Sequence, residues 1–283
     1  VNTSRDIEFL LEEIITLPSL PGALARIVQL LNDPESSLSD VGKAITQDPA
    51  VALKTLRLAN SAAYGLREHV TSVEHAVALL GIKVIHNLVL TATVFDTLSR
   101  SAGLLYQHSI VAGLAARAVL RTGRVALALQ PDEAFVYGLL HDIGKIILED
   151  YLSDDLMEAE TLSRDRKVPA YQVEREIIGA DHAEVGGRLA MNWRLPESIA
   201  SAILAHHDLS RCENEDSRRL AALLNVADAI CIEAGFPSYE GAVAGDTSQS
   251  WALLGVESAK IPAIMDDFFA SIPEVEELIE AMS

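Results

Sequence analysis

The run Tyr137-Gly138-Leu139-Leu140-His141-Asp142-Ile143-Gly144-Lys145-Ile146-Ile147 sets an imidazole and a carboxylate side by side in an otherwise apolar stretch. Such a stretch belongs in a core, where two polar groups of this kind cost several kcal/mol unless something pairs with them. Any fold the chain adopts must therefore bring partners to His141 and Asp142. Within a helix the two side chains stand about a quarter-turn apart, so both could converge on one cation. The alternative is structural: a buried His with its hydrogen bond satisfied and an Asp in a helix-stabilising pair. Lys145 follows Asp142 by three positions and shares its face. There it could hold an anionic ligand beside a metal, or be an ordinary solvated side chain.

The rest of the chain reads as helical. Hydrophobic residues make up 49% and aromatics 5%, with Ala and Leu dominant, and both rank high in helix propensity. The pattern shows no run of alternating strands and no internal repeat. No apolar run approaches the length of a membrane span, and the amino end lacks the pattern of a secretory signal. The two cysteines, Cys212 and Cys231, have neither metal-type nor disulfide-type spacing, which suits a reducing, cytoplasmic compartment. Formal charge is −19, with no basic stripe to neutralise phosphates, so direct nucleic-acid binding is disfavoured. The chain begins at Val1 rather than Met, which leaves room for an upstream domain.

Three blocks are expected: 1–100, a helical subdomain; 101–235, a second helical subdomain with the candidate site; and 236–283, a separate acidic helical extension. In the first block, helices are predicted over 6–16 and 23–31. Ser37 or Ser39 caps the next, Pro49 opens another, and Thr71-Ser72-Val73-Glu74 caps one closed by Gly81. An apolar helix follows over 82–98. In the second block, Pro131-Asp132-Glu133 opens the helix that delivers His141 and Asp142. Asp181 caps a helix with His182 in its first turn, and Leu195-Pro196 starts one ending at His206-His207. A helix over 216–233 carries Asp228, an isolated carboxylate among apolar neighbours. His108 projects inward among Leu104, Val111, Leu114 and Ala115, either as a satisfied core residue or as a ligand.

Several of these segments, in order, resemble HDOD domains, the HD-related output domains of bacterial signalling proteins. The likeness rests on Leu17-Pro18-Ser19-Leu20-Pro21, Asp48-Pro49, Leu58-Ala59-Asn60-Ser61-Ala62 and Ala76-Val77-Ala78-Leu79-Leu80-Gly81, and spans about residues 10–210. By themselves Asn60 and Ser61 read as a helix carboxyl cap. The order His108, His141-Asp142, Asp228 is also similar to that of the HD superfamily of metal-dependent phosphohydrolases. His182 and the His206-His207 pair look like the second-metal ligands of its HD-GYP branch, which hydrolyses cyclic di-GMP.

The resemblance implies an all-α fold, an amino-terminal bundle packed on an HD-type core. It implies one metal held by His108, His141, Asp142 and Asp228, and another by Asp142, His182, His206 and His207, with Asp142 bridging. Both would be divalent ions such as Fe, Mn or Zn. Lys145 matches the Lys of the HD-x-x-K pattern that contacts phosphate, so Asp142 and Lys145 would carry catalysis in an active enzyme. Two departures bear on this. Asp208-Leu209-Ser210-Arg211 stands where the Gly-Tyr-Pro element is expected, which argues against cyclic di-GMP hydrolysis. Leu104 stands where three-metal relatives have Glu, which favours two ions over three.

The reading that leads is a cytoplasmic signal-transduction output module that acts through a protein partner and retains a two-metal pocket. Its partners would be a signalling protein or an upstream sensory or receiver domain, without nucleic acid or membrane, and with a phosphate-containing small molecule as a further ligand. The competing reading is a phosphohydrolase acting on a nucleotide or cyclic dinucleotide. A third is a di-iron redox or oxygen sensor, since mixed His and carboxylate ligands suit iron.

Overall fold

The computed structural model describes residues 26–27, 29–30, 33, 35–61, 69–81, 84–85, 89 and 103–282. Every regular element among them is helical. The helices expected over 6–16, most of 23–31 and most of 82–98 lie outside the described residues.

The described residues form two units. The smaller contains α1 (Leu38–Thr46), α2 (Pro49–Ala59), a helical stretch over 73–81 and, at the end of the chain, α13 (Glu274–Met282). Ser37 caps α1 through a capping box with Asp40, satisfying amides that an unaided helix start leaves unpaired. Pro49 opens α2, where its missing N–H costs nothing. The side chain of Asn60 does more than cap α2. Its Nδ2 donates to Leu56 O and Val70 O at 2.8 Å each, while its Oδ1 accepts from Val70 N at 2.7 Å. One amide thereby ties the end of α2 to Val70, ten residues on. Val275 and Leu278 of α13 are buried, and α13 packs against α2.

The larger unit runs over residues 103–269. It comprises α3 (Leu104–Gly123), α4 (Pro131–Leu140), α5 (Ile143–Tyr151), α6 (Ser153–Arg166), α7 (Ala170–Ile177), α8 (His182–Asn192), α9 (Glu197–Ala205), α10 (Glu215–Glu233), α11 (Ser248–Leu254) and α12 (Ile261–Ser271), the last belonging to it through Phe269. Two of these helices are buried nearly all round: α3 over 108–120 and α10 over 220–231. A helix apolar on every face has to sit at the centre of a domain. The other helices wrap these two: α3 packs on α4 and α10, α9 on α8 and α10, and α5 on α8.

Glycine sets how closely three of these pairs approach. A Cβ on Gly138 of α4 would lie 2.5 Å from Ala112 O of α3. A Cβ on Gly144 of α5 would overlap the backbone of His182 at the start of α8, and one on Gly187 of α8 would sit 2.7 Å from Leu204 Cβ of α9. Any larger residue at these points would push apart the helices that carry the candidate ligands.

Residues 236–269, expected as part of a separate extension, pack into the larger unit instead. Phe236 O, Ser238 and Tyr239 bond to His108, Lys145 and Ser163, and Val256 and Ile264 lie against Gly123. Residues 270–282 belong with the smaller unit. The acidic composition that suggested one solvated appendage reflects the outward faces of these helices, while their inward faces carry Leu254, Ile264, Phe268, Val275 and Leu278.

Candidate metal centre

His141 and Asp142 do not sit inside a helix. The chain breaks there: α4 ends at Leu140, His141 is its C-cap, and Asp142 precedes α5 with φ −100° and ψ 15°. Neither residue is a helix breaker, and no Pro marks the spot. The turn therefore comes from packing, with α5 bent onto α8 where Gly144 meets His182. It aims both side chains to the interior, where each is 1% exposed.

The other candidates arrive there from five elements. His108 comes from the second turn of α3, His182 from the first turn of α8, His206 and His207 from the end of α9, Asp228 from α10 and Lys145 from α5. Asp181 accepts from Glu184 N at 2.7 Å and so caps α8 with His182 at its first position. Ligand atoms of His108, His141 and Asp142 lie within 4.8 Å of one another, as do those of His182, His206 and His207.

The hydrogen bonds decide which ring nitrogens face inward. The Nδ1 of His108 lies 2.7 Å from Phe236 O, that of His141 2.7 Å from Gly138 O, and that of His206 2.7 Å from Ile203 O. A carbonyl only accepts, so each Nδ1 carries the proton and each Nε2 presents a lone pair. The Nδ1 of His182 is held the same way by Glu174 Oε2 at 2.6 Å. Four imidazoles thus have their tautomer set from behind, the arrangement that orients metal-ligating histidines.

Those Nε2 atoms crowd each other and one carboxylate. His108 Nε2 lies 3.3 Å from His141 Nε2, and His182 Nε2 lies 2.9 Å from His207 Nε2. Asp142 Oδ1 has His182, His141 and His206 Nε2 at 3.1, 3.5 and 3.9 Å. Yet Asp142 Oδ1 and His206 Nε2 are buried with no hydrogen-bond partner. Asp228 Oδ1 lies 3.3 Å from His108 Nε2 and 3.8 Å from His141 Nε2. Lone pairs facing lone pairs repel unless positive charge sits between them, as a proton or a metal ion. Two nitrogens bound to one ion at about 2.1 Å and at right angles would stand about 3 Å apart. The residues present fit divalent cations, and His108, His141, Asp142, His182, His206, His207 and Asp228 could hold them.

The electrostatics follow from this crowding. Burial alone would raise Asp142, but His141, Lys145 and His182 hold its carboxyl well below the usual carboxylate range. Asp228 is held well below it as well, by His108 and His141 against the effect of burial. Burial lowers His182, but Glu174 and Asp142 outweigh it and push the imidazole up to about 10. His206, with burial first and then His141 and His182 acting on it, falls to about 3. Without metal ions, protons on some of these rings balance the carboxylates, and the remaining rings stay neutral.

Lys145 is buried rather than solvated. Its Nζ donates to Asp142 Oδ2 at 2.6 Å and to Ser238 Oγ at 2.8 Å. Although burial opposes its charge, Asp142 and Asp228 hold it firmly protonated.

Sequence reasoning missed Glu174, Tyr171, Phe236 O and Ser238. Glu174 left a trace: it is 0% exposed, and with Ala170 and Ile178 it falls on the inward stripe of α7, where an apolar residue belongs. Tyr171 stacks on His207 with ring centroids 4.4 Å apart and planes 13° apart. The backbone carbonyls leave no mark in a sequence.

Two spaces adjoin the cluster. A cavity of about 20 Å³ lies against Lys145, Tyr171, His182, His207 and Asp228, enough for about one water. A larger one of about 430 Å³ has His206 and His207 in its wall.

Comparison with known proteins agrees with this architecture. The chain is 27% identical over 208 residues to an uncharacterized protein of Treponema pallidum (strain Nichols), a match covering 72% of this chain and 40% of that protein. The chain thus spans less than half the length of that relative. An HDOD domain protein of unknown function from Geobacter sulfurreducens superposes with a TM-score of 0.77 at 25% identity, covering 99% of each chain. A protein of Shewanella amazonensis SB2B provisionally designated a phosphohydrolase superposes with a TM-score of 0.76 at 22% identity, covering 97% of this chain and 98% of that one. The HDOD domain model matches residues 17–209, and the chain belongs to the HDOD domain family.

Proposed function

We propose that this chain is a cytoplasmic signal-transduction output module whose His/Asp centre holds two divalent cations, and that it acts mainly through contact with a protein partner. The observation that carries the metal reading is the set of four imidazoles whose Nδ1 atoms are occupied and whose Nε2 atoms converge, with the unpartnered Asp142 Oδ1 among them. His108, His141, Asp142 and Asp228 would hold one ion, and Asp142, His182, His206 and His207 the other. Membership of the family of HD-related output domains supports the signalling role, and so does the Asp208-Leu209-Ser210-Arg211 sequence in place of Gly-Tyr-Pro. Among the described residues no helix is long and apolar enough to cross a membrane.

A second reading is a metal-dependent phosphohydrolase, favoured by the cavity of about 430 Å³ that reaches His206 and His207. A pair of bound ions would supply Lewis acidity and a water of lowered pKa. The protein's own share would be to orient the ligands through Glu174, Phe236 O, Gly138 O and Ile203 O. Lys145 would hold Asp142 in place, its ammonium being committed to Asp142 and Ser238.

Elemental analysis of the purified protein, beside His141→Ala and Asp142→Ala, tests the centre. Close to two equivalents of iron, manganese or zinc, lost in both variants, supports it; absence of metal after reconstitution refutes it. Assay of the loaded protein against phosphomonoesters and phosphodiesters, together with a pull-down, separates the two readings. Turnover abolished by Asp142→Asn, with no partner recovered, would replace the output module by the enzyme.

A further inference from the structure

The cavity of about 430 Å³ has a chemistry of its own. Its wall includes Arg218, Asn225, Asp208, Asp246 and Gln249, with His207 between it and the metal centre. Leu209 is its one aliphatic side chain, and no Phe, Tyr or Trp lines it. Its rings are the imidazoles of His206 and His207, the one held in the metal cluster and the other already stacked on Tyr171, so a nucleobase or another flat apolar ligand would find little surface to bury against. The volume suits a small molecule rather than a peptide or an oligonucleotide.

Its polar groups divide into donors and acceptors with unused capacity. Arg218 spends Nη2 on Cys212 O at 3.1 Å. Its Nε is buried without a partner, and among the described residues no carboxylate pairs with it. The guanidinium therefore brings an unneutralised positive charge to the cavity, with Nη1 left to donate to a phosphate. Asn225 Oδ1 takes the Ser250 hydroxyl at 2.7 Å, leaving the amide Nδ2 to donate. Asp246 Oδ1 takes the amide and hydroxyl of Ser248 at 2.9 and 2.6 Å, and Asp208 Oδ1 takes the amide and hydroxyl of Ser210 at 3.2 and 2.6 Å. Asp246 keeps a second oxygen, while Asp208 Oδ2 faces Arg211 Nε at 3.6 Å, an ion pair long enough to leave it able to accept from a ligand. One cation with two outlying carboxylates describes a ligand with one phosphate and several hydroxyls; a polyanion would be repelled by Asp208 and Asp246.

We infer that this cavity binds a phosphorylated polyhydroxyl compound of the sugar-phosphate class. Arg218 holds the phosphate, Asp208 and Asp246 accept from the hydroxyls, and His207 is the wall shared with the metal centre. The inference rests on the reading of that centre only for what the ligand lies next to; binding itself needs the cavity alone.

Titration calorimetry with ribose 5-phosphate, inorganic phosphate and ribose as probes tests it, on protein with and without metal. Ribose 5-phosphate is expected to bind more tightly than either fragment. Arg218→Gln should weaken it about tenfold or more, while Arg219→Gln, whose guanidinium pairs with Glu215 at 2.6 Å outside the cavity, should not. Asp246→Asn should weaken ribose 5-phosphate without weakening phosphate, whose binding can only gain from the lost negative charge, and this variant decides the matter if Arg218→Gln fails to fold. No binding of ribose 5-phosphate at millimolar concentration overturns the inference, as does binding equal to that of phosphate alone or indifference to both cavity variants. Metal without sugar-phosphate binding sinks this inference and spares the centre; sugar-phosphate binding by a protein that takes no metal does the reverse.

Discussion

Glu174 Oε2 accepts two hydrogen bonds from one residue: the ring Nδ1–H of His182 at 2.6 Å and its backbone N–H at 2.8 Å. A single carboxylate oxygen therefore sets the tautomer of His182 and anchors the first residue of α8. Glu174→Gln should keep the fold, because an amide oxygen still accepts, but should lower metal affinity at the His182 side by about 10- to 100-fold. Glu174→Ala should also destabilise the protein, by about 3 kcal/mol, since a buried charged imidazole loses its partner. Competition with a chelator measures the first, and chemical denaturation the second. A Glu174→Gln protein that holds both ions as tightly as the parent would remove Glu174 from the site.

The pH response of the metal-free protein should carry the sign of His182. Its folded-state value, about 10, lies above the ordinary value near 6.5. Its contribution to stability is therefore complete below about pH 6.5 and is lost as pH rises through about 10. Between those limits the melting temperature of metal-free protein should fall with pH relative to a His182→Gln variant. Loading with manganese or zinc at pH 7 should release protons, because the ions replace them on the rings, and apparent metal affinity should rise with pH. A pH-indicator titration in weak buffer reads the release directly; metal uptake without proton release would contradict this picture.

The contact of α5 with α8 should tolerate no side chain. Gly144→Ala places a methyl group on the backbone of His182, and overpacking between two buried helices costs about 3 kcal/mol. The variant should lose stability and metal together, since the same contact sets the distance from Asp142 to His182. Thermal unfolding and elemental analysis on one preparation would show it. A Gly144→Ala protein with parental stability would mean that α5 can shift without disturbing the cluster.

His108, His141, Asp142 and Asp228 stand out in the sequence because the cost of burying a polar group is local and shows wherever such a residue interrupts an apolar run. Helix starts are legible for the same reason: Ser37 and Asp181 accept from amides three residues on, and Pro49 stands where its missing N–H costs nothing. Other features depend on residues far along the chain. The break between His141 and Asp142 comes from α8 pressing on α5 at Gly144, and nothing within the stretch announces it. The partners that set the four ring tautomers include Phe236 O, 128 positions from His108, and Glu174, whose place on the inward stripe of α7 marks it as buried without naming the ring it meets. Residues 236–269 read as an appendage by charge, yet their backbone and hydroxyl groups complete the surroundings of His108 and Lys145. The sequence by itself determined that the chain is helical and that particular imidazoles and carboxylates must find partners inside it. Tertiary structure alone decided which way each nitrogen points, because a tautomer is chosen by the acceptor behind the ring, and that acceptor arrives through packing.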